Sequence, residues 1–354
     1  MRRIGLFLLT SVLLVLLVGC DGWQVTSSGG SKEAEQSVEE NLSKMESTVE
    51  EAGDFESAGW STMEYMNNLV KIGKPAVPKI LEVVKDKSKN PGFRVLLLTE
   101  VLGDIKDTEI VPQLTEILED NQEDEAVKDA VIQCLGMIGD ERALEPIFDL
   151  YYSPEGEKYR DTIFWALGGF EGRKAAEEVV NIYKNSSDAS VRASAVHVLG
   201  QIGDKYALPF LIDALKNDPS PGVKAWAAIS LGSKALESEE GKQALIDALN
   251  DPTIKDKTPI IMALGNLGVA EPLIEMLEGI EDYNKNFEIV LEIVKALGRA
   301  KNSDGVEPLK SLLNRLQELG IHPEEDKQWL QNEIATSLFN ITGDKSYLKE
   351  YYKP

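Results

Sequence analysis

The chain has 354 residues but only two cysteines and two histidines, too few for a zinc site or any other spaced metal-ligand set. Cys134 lies in "VIQCLGMIG", where a free thiol reads as a small buried hydrophobe. His197 and His322 are far apart in the chain, and neither has a ligand at metal spacing. The phosphate-loop pattern GxxxxGK[ST], the zinc pattern HExxH and the nucleophile pattern GxSxG are all missing. No cofactor is implied, and the expectation is a chain without catalytic activity. Basic side chains are also scarce: 37 Lys and Arg face 60 Asp and Glu, for a net charge of −23. Such a surface repels phosphate backbones and anionic lipid heads, so no nucleic-acid partner is expected. Only one long apolar run exists, and its 16 uncharged residues, 4–19, fall short of the roughly 20 that a membrane-spanning helix needs.

What is present begins at that run. "MRR" precedes it and small residues end it, the layout of a secretory signal. Its last four residues, "LVGC" (Leu17 to Cys20), resemble the lipobox of bacterial lipoproteins. That resemblance implies cleavage before Cys20, acylation of Cys20, and a protein held by lipid on the extracytoplasmic side of a bacterial cell membrane. Two or more acyl chains anchor stably where one exchanges with water. An uncleaved signal anchor with an incidental cysteine is the other reading. The sequence thus divides into a signal peptide (1–19), a lipidated cysteine and Ser/Gly-rich tether (20–32), an N-terminal capping helix (33–58) and a repeat body (59–350). In the capping helix Val38, Leu42, Met45, Val49 and Ala52 recur at three- and four-residue steps and share one face. That face is expected to pack on the first repeat.

In the body a Leu-Gly pair recurs near the end of a helical segment. Its leucines are 102, 135, 167, 199, 231, 264 and 297, spaced by 32 or 33. A period of that length means a solenoid. Each unit reads as two helices joined by a turn, best seen in residues 188–216. Val191, Ala195, Val198, Leu199 and Ile202 share a face of the first helix; Leu208, Leu211 and Leu215 share one of the second. "GD" turns the chain between them, Gly permitting positive φ and Asp capping the next helix. The Gly of each pair lies inside a helix at a cost of about 1 kcal/mol against Ala, which implies that neighbouring backbones come close there. The fold class is all-α, an α-solenoid of eight or nine antiparallel helix pairs. Irregularity is expected at 298–330, before a terminal copy, "LFNITGD".

"VRASAVHVLGQIGD" resembles the HEAT-like repeat of the bilin-lyase type. The likeness covers roughly residues 60–350, with worn copies at 157–173 and after 257, where Pro259 enters a first helix. Repeats of this type occur in scaffolds, bilin lyases and enzyme subunits alike. The reading is a membrane-tethered protein-interaction scaffold; the alternative is a subunit or accessory factor of an enzyme, bilin-lyase-like or associated with a cell-envelope hydrolase.

Repeats write their surfaces as columns. Seven residues before each anchor leucine stand Lys128, Arg160, Arg192, Lys224 and Lys257, with Arg94 one place out. The family resemblance implies that this basic column ties one repeat to the next. On the second helices a mostly acidic column runs Glu82, Glu116, Asp149, Asn181, Asp213, Asp247 and Glu275. It reads either as a solvated face or as the binding surface for a protein partner, then of basic character, since one sign of charge steers the opposite one. Tyr152 and Tyr183 lie beside it in sequence and suit an interface. Trp165 and Trp226, on first helices, read as core or ridge packing.

Overall fold

The structure, a computed structural model, describes residues 30–52, 55–316, 318–319 and 321–351. The signal peptide, Cys20 and most of the tether therefore lie outside the described residues. All regular elements among the described residues are helical, and none is long and apolar enough to cross a membrane. The chain divides into two compact units, the first ending at Val83.

The first unit holds the helices Gly30–Glu51 and Phe55–Ile72 and most of Val77–Lys85. Val38, Leu42, Met45 and Val49 are buried, and their helix packs on Phe55–Ile72. Asn68 donates a hydrogen bond to Asn41 at 3.1 Å across that contact. Two boundaries differ from expectation. Gly30 to Lys32 belong to the helix rather than the tether, and the capping helix ends at Glu51, so residues 55–58 already start the next one.

Helix pairs follow one another through the second unit. First helices are 91–105, Glu125–Ile138, Gly156–Leu167, Ala189–Ile202, Pro221–Leu231, Thr258–Asn266, Phe287–Ala300 and Glu324–Thr342. Their second helices are Val111–Glu119, Leu144–Tyr152, Arg173–Asn185, Leu208–Asn217, Glu239–Asn250, Glu271–Glu278, Val306–Arg315 and Ser346–Tyr351. With Phe55–Ile72 and Val77–Lys85 this makes nine pairs among the described residues. Residues 298–330 are more regular than expected. Part of the added length extends the first helix Glu324–Thr342, which is 19 residues long.

The turns follow the sequence closely. Gly139 and Gly203 end first helices at φ 70°, and Asp140 and Asp204 then accept from the N–H groups of Arg142 and Tyr206 at 3.0 and 2.8 Å. Where the "GD" is lost, Lys106 and Lys301 take the left-handed position at φ 53° and 51°. Pro259 does not break its helix because it sits in the first turn, where its missing N–H would have no partner anyway.

Adjacent first helices approach as closely as their glycines permit. A Cβ on Gly136 would lie 2.5 Å from the Ala166 Cα; on Gly232 and Gly265 it would lie 2.7 and 2.8 Å from the Cα of Ala263 and Ala296. The facing residue is each time the small one just before the next anchor leucine. Where that residue is serine, the contact gains a hydrogen bond: Ser230 donates to Val196 O and Ser337 to Val294 O, both at 2.9 Å.

The basic column clamps the other edge of the stack. Buried Arg94 donates to Val84 O at 2.7 Å, in the last turn of the preceding second helix, and to both Glu123 oxygens at 2.9 and 2.7 Å. Arg192 makes a similar set from the loop just beyond the preceding second helix, donating to Ser187 O at 3.0 Å and to Asp218 at 2.8 and 3.0 Å. Lys224 donates to Lys216 O at 2.8 Å, and Lys257 to Ala248 O at 2.9 Å and to Asp251 O. A cation at the C-terminal end of a helix satisfies its last carbonyls and opposes its dipole. Lys128 is buried 3.7 Å from Glu155. Arg160, in the worn repeat, pairs with Glu157 in its own helix instead. The displacement of Arg94 has a local cause. Leu97–Leu102 is a π-helical stretch, whose extra residue lets Arg94 and Leu102 both keep their places.

Burial alone would raise the Asp218 carboxyl, but hydrogen bonds from Arg192 and the Ser220 N–H outweigh it and hold the group below the usual range. Glu123 is held low in the same way by Arg94 and the Asp124 N–H. Because the folded pKa is depressed, this stability is complete above the unfolded carboxylate value of about 4 and drains away as pH falls through the lower folded value. Arg192→Met should cost about 3–5 kcal/mol at pH 7, since it leaves a buried carboxylate unpaired. Urea unfolding at pH 7 and pH 3 checks both points. The parent should lose stability between the two, and the variant should lose less, because protonation relieves its orphaned Asp218.

Candidate functional site

Glu82, Glu116, Asp149, Asn181, Asp213, Asp247 and Glu275 are all exposed, each on the second helix of its repeat. The helical period explains this. Each stands between buried apolar neighbours, such as Phe148 before Asp149 and Ala214 and Leu215 after Asp213, which fix the inner face and turn the column outward.

Their surroundings are not uniform. Glu116 meets Lys85 of the preceding second helix at 3.2 Å, and Asp247 meets Lys216 of its preceding one at 3.8 Å. Glu82 pairs with Lys79 in its own helix at 3.1 Å. Asp213 accepts from Asn217 at 2.7 Å. Asp149 and Glu275 have no ion pair among the described residues. Lys85, Lys184 and Lys216 form a second column, three residues after the first, that sequence reading missed. Lys184 lies over the Phe210 ring at 4.2 Å, so this column also reaches from each repeat to the next. The signal was legible as a lysine at the same offset in three copies. Exposed pairs of this kind contribute only about 0–1 kcal/mol each, so the acids are not needed to hold the stack.

The two tyrosines separate. Tyr152, three residues after Asp149, shares its face and is 61% exposed, with its ring edge-on to Tyr151 at 5.0 Å. Tyr183, two residues after Asn181, turns inward and is only 8% exposed. Burial and the nearby Asp218 and Asp213 carboxylates push its phenol up to about 12. Tyr183 is thus core rather than interface. Trp165 and Trp226 correct in the other direction: at 43% and 38% exposed they are surface, not core.

Cys134 is wholly buried, and burial pushes its thiol far above the usual range, so it is held as an unreactive neutral group. Among the described residues no group of His, Cys, Asp and Glu is placed to hold a metal ion.

No curated protein matches the sequence. Solved structures do. Human deoxyhypusine hydroxylase in complex with glycerol aligns over 89% of this chain and 99% of its own, at 15% identity and TM-score 0.31. The YibA protein of Escherichia coli aligns over 88% and 99%, at 16% identity and TM-score 0.39. The complex of CpcE and CpcF of phycocyanin lyase from Nostoc sp. PCC7120 aligns over 86% and 98%, at 18% identity and TM-score 0.30. The expectation of a chain without catalytic activity is corrected here. The aligned structures include a hydroxylase and a phycocyanin lyase complex, and a non-enzyme is not established for this chain. Residues 77–168 and 176–257 match the family model for HEAT repeats, and the chain that carries these HEAT repeats is an all-α solenoid.

Proposed function

We propose that this chain is a membrane-tethered scaffold that presents the exposed face of its second helices to a basic protein partner outside the bacterial cytoplasm. The observation that carries the reading is the register of the acidic column. Seven successive second helices expose the same position, six of the seven are acids, and three of those six, Asp149, Asp213 and Glu275, have no cation partner among the described residues. A row of like charges repels itself and adds nothing to folding, so its persistence suits a surface that meets positive charge. Tyr152 adds a large, half-rigid contact beside it. The tether rests on "MRR", the short apolar run and "LVGC", with the acyl chains on Cys20 making the membrane contact that an acidic body cannot.

Two measurements test the two halves. Mass analysis of the N-terminal peptide from membrane-extracted protein should find an acylated Cys20; an intact Met1 or an unmodified Cys20 would remove the tether. For the face, the partner is sought by crosslinking in intact cells, and its association rate is then measured against salt. Reversing Asp149, Asp213 and Glu275 to Lys should slow association at least about tenfold at low salt and much less at high salt, where exposed charges are screened. Reversing the exposed Glu33, Glu35 and Glu50 changes net charge equally and should have little effect. Equal losses from both triplets would reduce the column to bulk charge.

A further inference from the structure

The outward faces of the first helices and the turns that follow them carry a second pattern. Two residues before each anchor leucine stand Glu100, Gln133, Trp165, His197, Ile229, Met262 and Lys295; two after stand Asp104, Met137, Gly169, Gln201, Ser233, Asn266 and Arg299. Five consecutive repeats thus place ten residues here without one acid, lysine or arginine, in a chain that is 27% charged. Both ends are charged, acidic at Glu100 and Asp104 and basic at Lys295 and Arg299.

This band is surface. Trp165, Ile229 and Met262 are exposed, and Trp226 joins them with its ring 4.3 Å from His197. Burial holds His197 below the usual imidazole range, so it too is neutral at physiological pH. The band runs into a groove of about 590 Å³ lined by Ser233, Lys234, Asn266, Arg299, Lys301 and Asn340. Its three cations include Lys234, shared with Glu237 at 3.5 Å, and Arg299, shared with Glu292. Exposed Trp165, Trp226, Ile229 and Met262 on an acidic protein are not solvated surface by default.

We infer that the first-helix face binds an extended polypeptide segment whose middle is apolar and uncharged, with a basic flank at Glu100 and Asp104 and an acidic flank at the Lys295–Lys301 groove. The chemistry selects this occupant. Trp, Met and Ile suit apolar side chains of the segment, and the amides of Gln201 and Asn266 can bond its backbone, while Gln133 already donates to Asp129 at 2.8 Å. Two copies of this chain, each at −23, repel one another, and a rigid second copy cannot follow the face as a flexible segment does. From the Glu100 repeat to the Lys295 repeat is six steps of about 8–10 Å, so an extended segment of roughly 15–18 residues spans it.

The test uses a fluorescein-labelled 17-residue peptide with two lysines, thirteen uncharged residues alternating leucine and threonine, and two aspartates. It is made in both chain directions and titrated with the full chain by anisotropy. One direction should bind. Trp165→Ala with Trp226→Ala should weaken binding at least about tenfold, as should replacing the peptide's leucines by serine. Met262→Glu is a second variant, at a single exposed position, should the double variant fold poorly. Reversing Asp149, Asp213 and Glu275 should leave peptide binding unchanged, which separates failure of this inference from failure of the second-helix reading. No binding in either direction, or equal binding by the parent and both first-helix variants, would overturn it. Concentration-dependent dimerisation abolished by Met262→Glu would also overturn it, in favour of a second copy of the chain.

Discussion

Adjacent first helices touch at a distance that only glycine allows, and the other features of the repeat body accommodate that contact. A Cβ at Gly136, Gly232 or Gly265 would enter the van der Waals shell of the next helix's backbone. The glycine weakens its own helix by about 1 kcal/mol, so the packing it permits must return more. The same contact requires a small partner, which explains Ala166, Ala263 and Ala296 and the two serines that bond back to Val196 and Val294. It also favours a constant period, because five of the repeats bring their glycine to the small residue of the next one, at Ala166, Ser230, Ala263, Ala296 and Ser337.

With that edge set, the opposite edge must be closed without equivalent close packing. Here the basic column acts. Arg94 joins the carbonyl end of one second helix, and Arg192 the loop just after one, to a carboxylate beyond the next second helix. Burying such ions is costly unless every donor and acceptor is matched, and the described residues contain no buried side-chain polar atom without a partner. Lysines at 224 and 257 perform the carbonyl half of the same task. Structural duty is therefore concentrated on the glycine contacts and the clamp. The outward positions of both helices are released from it; on the second helices one such column is acidic, while on the first helices the two columns flanking the anchor leucine are uncharged through five repeats.

Much of this was legible in the sequence because a repeat states each physical requirement several times. The Leu-Gly spacing gave the solenoid, the stripe from Val38 to Val49 gave the packed face of the N-terminal helix, and the basic column appeared as a tie between repeats. The illegible parts depended on angle or on what lay across a gap. Tyr183 follows Asn181 by two residues, which is about 200° around a helix, and so it points into the core. Tyr152 follows Asp149 by three and stays on its face. Trp165 and Trp226 read as core or ridge packing, and their exposure of 43% and 38% excludes the core. Arg94 seemed displaced because an extra π-helical residue does not show in a count. The irregular link was overestimated because eight added residues can lengthen a helix as easily as a loop. Site chemistry was least legible. A repeated fold singles out no residue, and the outward surface depends on which positions packing leaves free.

The central claim is that the glycine contacts carry the stack and the second-helix acids do not. Chemical unfolding of three proteins tests it: the parent, a variant with Gly136→Ala and Gly232→Ala, and a variant with Asp149, Asp213 and Glu275 all changed to Ala. Each glycine substitution favours its own helix by propensity, so a loss of stability would have to come from the helix contact, at about 1–3 kcal/mol for each clash. The account predicts a lower unfolding midpoint for the glycine variant and an unchanged or higher one for the acid variant. An acid variant that falls as far as the glycine variant would contradict it.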